Sequence, residues 1–135
     1  MFHHREHRAH RGVFSFRKRI VLCVLCALCG DPSAWAQDHD EAWKRCRGTD
    51  ADARLSACTA LIDAGQEAAE LASAYYARGI AYRQKSLFAR ALEDLNAAIK
   101  ANPELIDAYG DRGITLTILG RYADAIPDYS RVIDA

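Results

Sequence analysis

Shifted by 34 positions, residues 72–103 return as residues 106–135. The pairs Ala74/Ala108, Tyr75/Tyr109, Arg78/Arg112, Gly79/Gly113, Ile80/Ile114, Ala91/Ala125, Asp94/Asp128 and Ile99/Ile133 are identical. A fixed period of this length marks an array of helix–turn–helix units. Each unit is too small to bury its own apolar face and must stack on the next. The expected fold is therefore all-α, a short solenoid of antiparallel helical hairpins. Apolar periodicity and breakers predict helices over about 39–47, 52–64, 67–85, 87–101, 104–119 and 121–134.

Within each unit the residue types suit close antiparallel packing. Gly79 and Ala91, like Gly113 and Ala125, are small where two helices must approach, and Tyr75, Tyr82 and Leu95 fill the remaining space. Leu71, Ala74, Tyr75 and Tyr82 form one helical stripe. Arg78 and Arg112 each have an aspartate sixteen residues on, Asp94 and Asp128. In a hairpin that separation sets one helix opposite the other, so structural ion pairs Arg78–Asp94 and Arg112–Asp128 are expected, fixing geometry more than adding stability. Ser86 and Gly120-Arg121 read as turns inside the repeats. Asn102 reads as a helix cap with Pro103 at the first helical position. Pro127 falls inside the last helix, which is expected to bend or to start late.

These positions resemble the tetratricopeptide repeat. Its aromatic, Leu-Gly, Tyr, Ala, aromatic and Pro positions read here as Tyr75, Arg78-Gly79, Tyr82, Ala91, Leu95 and Pro103. The second unit gives Tyr109, Arg112-Gly113, Leu116, Ala125 and Tyr129, with arginine again in place of the usual leucine. The resemblance implies repeats at 72–105 and 106–135, the second incomplete and without a capping helix. It also places Ser73, Tyr76, Ile80, Arg83 and Gln84, followed by Asp107, Gly110, Ile114 and Thr117, on a concave groove that binds a protein or peptide segment. Arg83 would orient a carbonyl or an acid there. Family members that clamp a C-terminal carboxylate use Lys and Asn, where this chain has Tyr76, Ile80, Gly110 and Ile114, so that mode is not implied.

The N-terminal segment has a different character. Residues 1–19 are basic, residues 20–29 (IVLCVLCALC) are apolar, and Ala34-Trp35-Ala36 offers a small-residue cleavage site. That order predicts a secretory signal peptide over 1–36, with an exported, periplasmic product. The apolar run is shorter than the roughly 20 residues of a spanning helix, so no membrane span is expected after cleavage. Cys23, Cys26 and Cys29 lie within this run and His3, His4, His7 and His10 precede it; both sets read as parts of the signal, not metal ligands.

Cys46 and Cys58 remain, and an even pair in an exported chain predicts a disulfide; the C-x-x-C spacing of a redox-active pair is absent. Residues 37–71 then form a helical cap or half-repeat. Thr49 or Asp50 starts its second helix, Gly65 stops it, and Ala57, Leu61 and Ala64 are spaced like Ala91, Leu95 and Ala98. Trp43 is expected to fill the space between the cap helices. A cysteine-bridged half-repeat ahead of regular ones resembles exported bacterial tetratricopeptide proteins.

Charge and motif content narrow the function. Residues 1–36 hold six of the eighteen Lys/Arg and two of the eighteen acids, leaving twelve basic and sixteen acidic residues in the remainder. That mildly acidic body carries no footprint for nucleic acid. No catalytic triad, phosphate loop or metal motif is present beyond residue 36, so neither an enzyme nor a cofactor is expected. The reading is a protein-binding module. The alternative is a structural piece that self-associates through the apolar face of its last hairpin, including Tyr129, Val132 and Ile133.

Overall fold

The structure, a computed structural model, describes residues 32–135. The basic run, the apolar run with Cys23, Cys26 and Cys29, and the four early histidines lie outside the described residues. The chain divides into two units, residues 1–37 and 38–135. Of the first, only the start of one helix is described. The described residues form six helices and no strand: α1 (Pro32–Cys46), α2 (Ala51–Asp63), α3 (Ala68–Gln84), α4 (Phe88–Ala101), α5 (Ile106–Ile118) and α6 (Tyr122–Ile133).

Helix α1 starts seven residues earlier than expected and runs through Ala34-Trp35-Ala36. Pro32 suits a first helical position, where its missing N–H has no partner to lose. Asp50, not Thr49, caps α2, its carboxylate accepting from the Ala53 N–H at 2.6 Å. Gly65 ends α2 with a positive φ of 73°, leaving Ala64 as the exposed C-cap and not a third core position.

Helices α3 and α4 form one hairpin and α5 and α6 the next; α2 packs on α3, and α4 on α5. Helix α3 is flanked on both sides, and its buried positions are all small: Ala72, Ala74, Ala77, Gly79 and Ala81. Small residues around the helix let both neighbours come close. A β-carbon on Gly79 would lie 3.2 Å from Leu95 Cγ and 3.4 Å from the Ala91 carbonyl oxygen. The turns repeat as well. Ser86 and Gly120, 34 apart, both have positive φ, and the next N–H returns to a carbonyl five residues back, Leu87 to Tyr82 and Arg121 to Leu116, each at 2.9 Å.

One sequence expectation is corrected here. Asn102 and Pro103 do not open α5. Asn102 is the C-cap of α4, its side chain accepts from the Glu104 N–H at 3.0 Å, and α5 starts at Ile106. Leu105 packs against the core of Leu95, Ala98 and Ala108, and this anchor delays the helix past the proline. Helix α6 does not start late. It begins at Tyr122, with Pro127 in its second turn. Pro127 and Ala123 are both exposed, so water can reach the carbonyl that the proline leaves unpaired.

Three small cores result. Trp43, Cys46, Ala57, Cys58, Leu61, Ala74 and Ala77 join α1, α2 and α3, so Trp43 reaches the first repeat as well as the cap. Leu95, Ala98 and Ala108 join the two hairpins, as do Leu92, Leu116 and Ala125. Cys46 and Cys58 form a disulfide, with Cα atoms 4.9 Å apart and both residues fully buried.

Candidate functional site

The hairpins are held by two repeated arginine clamps. Arg78 donates from Nε and Nη2 to the two oxygens of Asp94 at 2.7 and 2.9 Å, and from Nη1 to the Thr59 hydroxyl at 3.0 Å. Arg112 grips both oxygens of Asp128 and donates from Nη1 to Asn96 Oδ1 at 2.7 Å. In both cases the third arm reaches the helix of the preceding unit. The clamp thus ties unit to unit as well as helix to helix. The bidentate hydrogen bond, the largest influence in each case, pushes the Arg78 and Arg112 guanidiniums above their ordinary value. Tyr75 and Tyr109 lie under these guanidiniums at 5.6 and 5.5 Å.

Beside α3 lies a cleft of about 700 Å³. Trp43 of α1, Arg47 in the turn after it and Arg54 of α2 form one wall. Ser73, Tyr76, Ala77, Ile80 and Arg83 of α3 form the floor, and Leu105 and Asp111 close the far side. Four of the residues expected on a groove therefore line this cleft: Ser73, Tyr76, Ile80 and Arg83. Gln84, Asp107, Gly110, Ile114 and Thr117 do not. Gly110 faces α6, where an added β-carbon would meet Val132 at 3.7 Å. The Thr117 hydroxyl donates to the Gly113 carbonyl and meets the Tyr129 hydroxyl at 3.0 Å, so it too is turned to α6. Ile114 and Gln84 are exposed, as is Asp107.

Asp111 organises the far wall, and the repeat comparison gave no sign of it. Its carboxylate accepts from the Tyr76 hydroxyl at 2.7 Å and from Arg83 Nη2 at 2.7 Å. Arg83, expected to orient a carbonyl or an acid of a bound segment, is engaged by an acid of the chain itself. Burial, followed by the Asp111 hydrogen bond, pushes the Tyr76 phenol well above its ordinary value. Arg54 is different. Its Nε and Nη1 are buried and have no hydrogen-bond partner among the described residues, and the same holds for Arg83 Nε. Arg47 is exposed, with its guanidinium 5.0 Å from the Trp43 ring centre. The arrangement is an apolar cleft of Trp43, Ile80 and Leu105 edged by arginine N–H groups. Among the described residues no group of His, Cys, Asp or Glu is placed to hold a metal ion.

Helix lengths, turn geometry and the repeated small contact positions all point to one repeat type. Residues 72–105 match the tetratricopeptide repeat. The described chain is an all-α, tetratricopeptide-like array, and such repeats are typically interaction modules without enzymatic activity. A 51-residue stretch is 41% identical to an uncharacterized protein of Methanocaldococcus jannaschii, covering 38% of this chain and 59% of that protein. The chain thus spans less than two thirds of the length of that relative. No described helix is long and apolar enough to cross a membrane.

Proposed function

We propose that the chain is a non-enzymatic protein-interaction module of the cell envelope that holds a peptide segment in the cleft along α3. One observation carries this reading: Trp43, Ile80 and Leu105 offer an apolar surface in a cleft whose wall also carries the side chains of Arg47 and Arg54. Tight peptide sites combine those two features, apolar anchors and a few directed polar groups. Residues 1–36 are read as the export signal and 37–71 as a cap on the array. The buried Cys46–Cys58 disulfide supports export, because such bonds persist in oxidising compartments. The test is selection against an immobilised random heptapeptide library. The chain should enrich a restricted set of sequences, and Ile80→Glu should abolish the enrichment; indifference to Ile80→Glu would refute the cleft as the site.

A second reading, contact through the face of α5 and α6, is favoured by the repeat itself. Leu92, Leu95 and Ala98 are buried, while the residues 34 further on, Ile126, Tyr129 and Val132, are 64%, 37% and 40% exposed. The same face of the first hairpin is covered by α5. Light scattering separates the readings. Concentration-dependent association that Val132→Ser and Ile133→Ser remove, with peptide selection intact, would assign assembly to this face.

A further inference from the structure

The cleft reading leaves the chemistry of the bound segment open, and the arginines narrow it. Arg47, Arg54 and Arg83 stand around one cleft against two acids, Glu70 and Asp111. Asp111 is taken up by Arg83 and Tyr76. Two guanidiniums, those of Arg47 and Arg54, then face Glu70, which is exposed. This excess is local, because residues 37–135 carry more acids than bases. Neither Arg47 nor Arg54 forms a salt bridge among the described residues, so both cleft-lining charges are left for a ligand anion. A guanidinium with no protein carboxylate beside it binds a ligand carboxylate through charge-assisted hydrogen bonds.

Resting on the cleft reading, we infer that the bound segment is an acidic one, an extended peptide whose Asp or Glu side chains meet Arg54 and Arg47 while apolar neighbours lie on Trp43, Ile80 and Leu105. The cations come from separate segments around the cleft: the turn after α1, helix α2 and helix α3. Several carboxylates spaced along a chain match that layout, whereas one terminal carboxylate serves a single arginine. In an extended peptide alternate side chains point to opposite faces, so acids and anchors can be segregated along it. A polyphosphate chain fits less well, because the acidic body repels it beyond the cleft.

The test uses the full chain and a C-terminally amidated heptapeptide library on beads, so that side chains carry the only carboxylates. Selected peptides should be enriched in Asp and Glu beside aromatic or aliphatic residues. Replacing the selected acids by their amides should weaken binding about tenfold or more. Arg54→Met should bring acid and amide peptides to within about twofold of each other. Arg47→Gln, on an exposed side chain, should narrow the gap in the same direction and serves if Arg54→Met lowers the melting temperature. Enrichment of apolar residues without acids would overturn the acidic-segment inference and leave the cleft reading standing. No enrichment at all, in this library or in one with free C-terminal carboxylates, would overturn both. Acid enrichment that survives both arginine substitutions, or binding that requires a free C-terminal carboxylate, would also overturn the inference.

Discussion

Removing Asp94 alone should destabilise the array more than removing both partners of its clamp. Asp94 is 6% exposed, and the Arg78 side chain is 16% exposed, so the pair is largely out of water. Asp94→Ala deletes two charge-assisted hydrogen bonds and strands a guanidinium between α3 and α4. Breaking a buried pair from one side costs about 3–5 kcal/mol, and the residual solvation of Arg78 argues for about 3. For a domain of this size that is a fall of roughly 15 °C in melting temperature. Arg78→Leu loses the same bonds and the contact to Thr59, but leaves Asp94 as the stranded charge. The double variant Arg78→Leu, Asp94→Ala strands neither, so it should cost no more than about 2 kcal/mol. Urea unfolding of the four proteins measures the coupling, expected at about 2 kcal/mol or more. A double variant whose cost equals the sum of the singles would refute the idea that the clamp acts as one buried unit.

Three further outcomes follow from the same geometry. Ser86→Gly should stabilise the chain by about 0.5–1 kcal/mol, because Ser86 holds a φ of 58° where the next repeat has Gly120, whereas Gly79→Ala should destabilise by about 1 kcal/mol despite its better helix propensity, since Leu95 cannot move; thermal melts distinguish the signs. Cys46→Ser with Cys58→Ser should lower stability by about 3 kcal/mol, the closure entropy of a loop spanning twelve positions, read from urea unfolding without reductant. The raised Tyr76 phenol stabilises the fold fully below the unfolded value near 10, and that contribution is lost as pH rises from there through the folded value. Stability should therefore fall above about pH 10, and Tyr76→Phe should flatten that limb in melts taken from pH 8 to 11.

The hairpins were legible because the period fixes where small and large residues recur, and sixteen residues in a hairpin set Arg78 against Asp94. Periodicity also hid what it does not share. Asp111 stands 34 residues after Ala77, and Arg54 stands 34 before Phe88, so neither belongs to a recurring pair. Their roles come from contacts across units, with Asp111 reaching 35 residues back to Tyr76 and 28 back to Arg83. Asn102-Pro103 was misread because the local preference for proline at a helix start was outweighed by the packing of Leu105. Gly110 and Thr117 were placed on the groove by analogy with Tyr76 and Arg83. In α5 these two positions turn to α6 instead, Gly110 toward Val132 and Thr117 toward Tyr129.

Trp43 gives the most direct test of the cleft. The chain has two tryptophans, Trp35 and Trp43, and Trp43 forms part of the cleft wall. With Trp35→Phe, titration with a library-selected peptide should change the remaining tryptophan emission saturably, and Ile80→Glu should remove the change while the melting transition is retained. Emission that stays constant through a titration in which a labelled copy of the peptide binds by anisotropy would place the bound segment elsewhere.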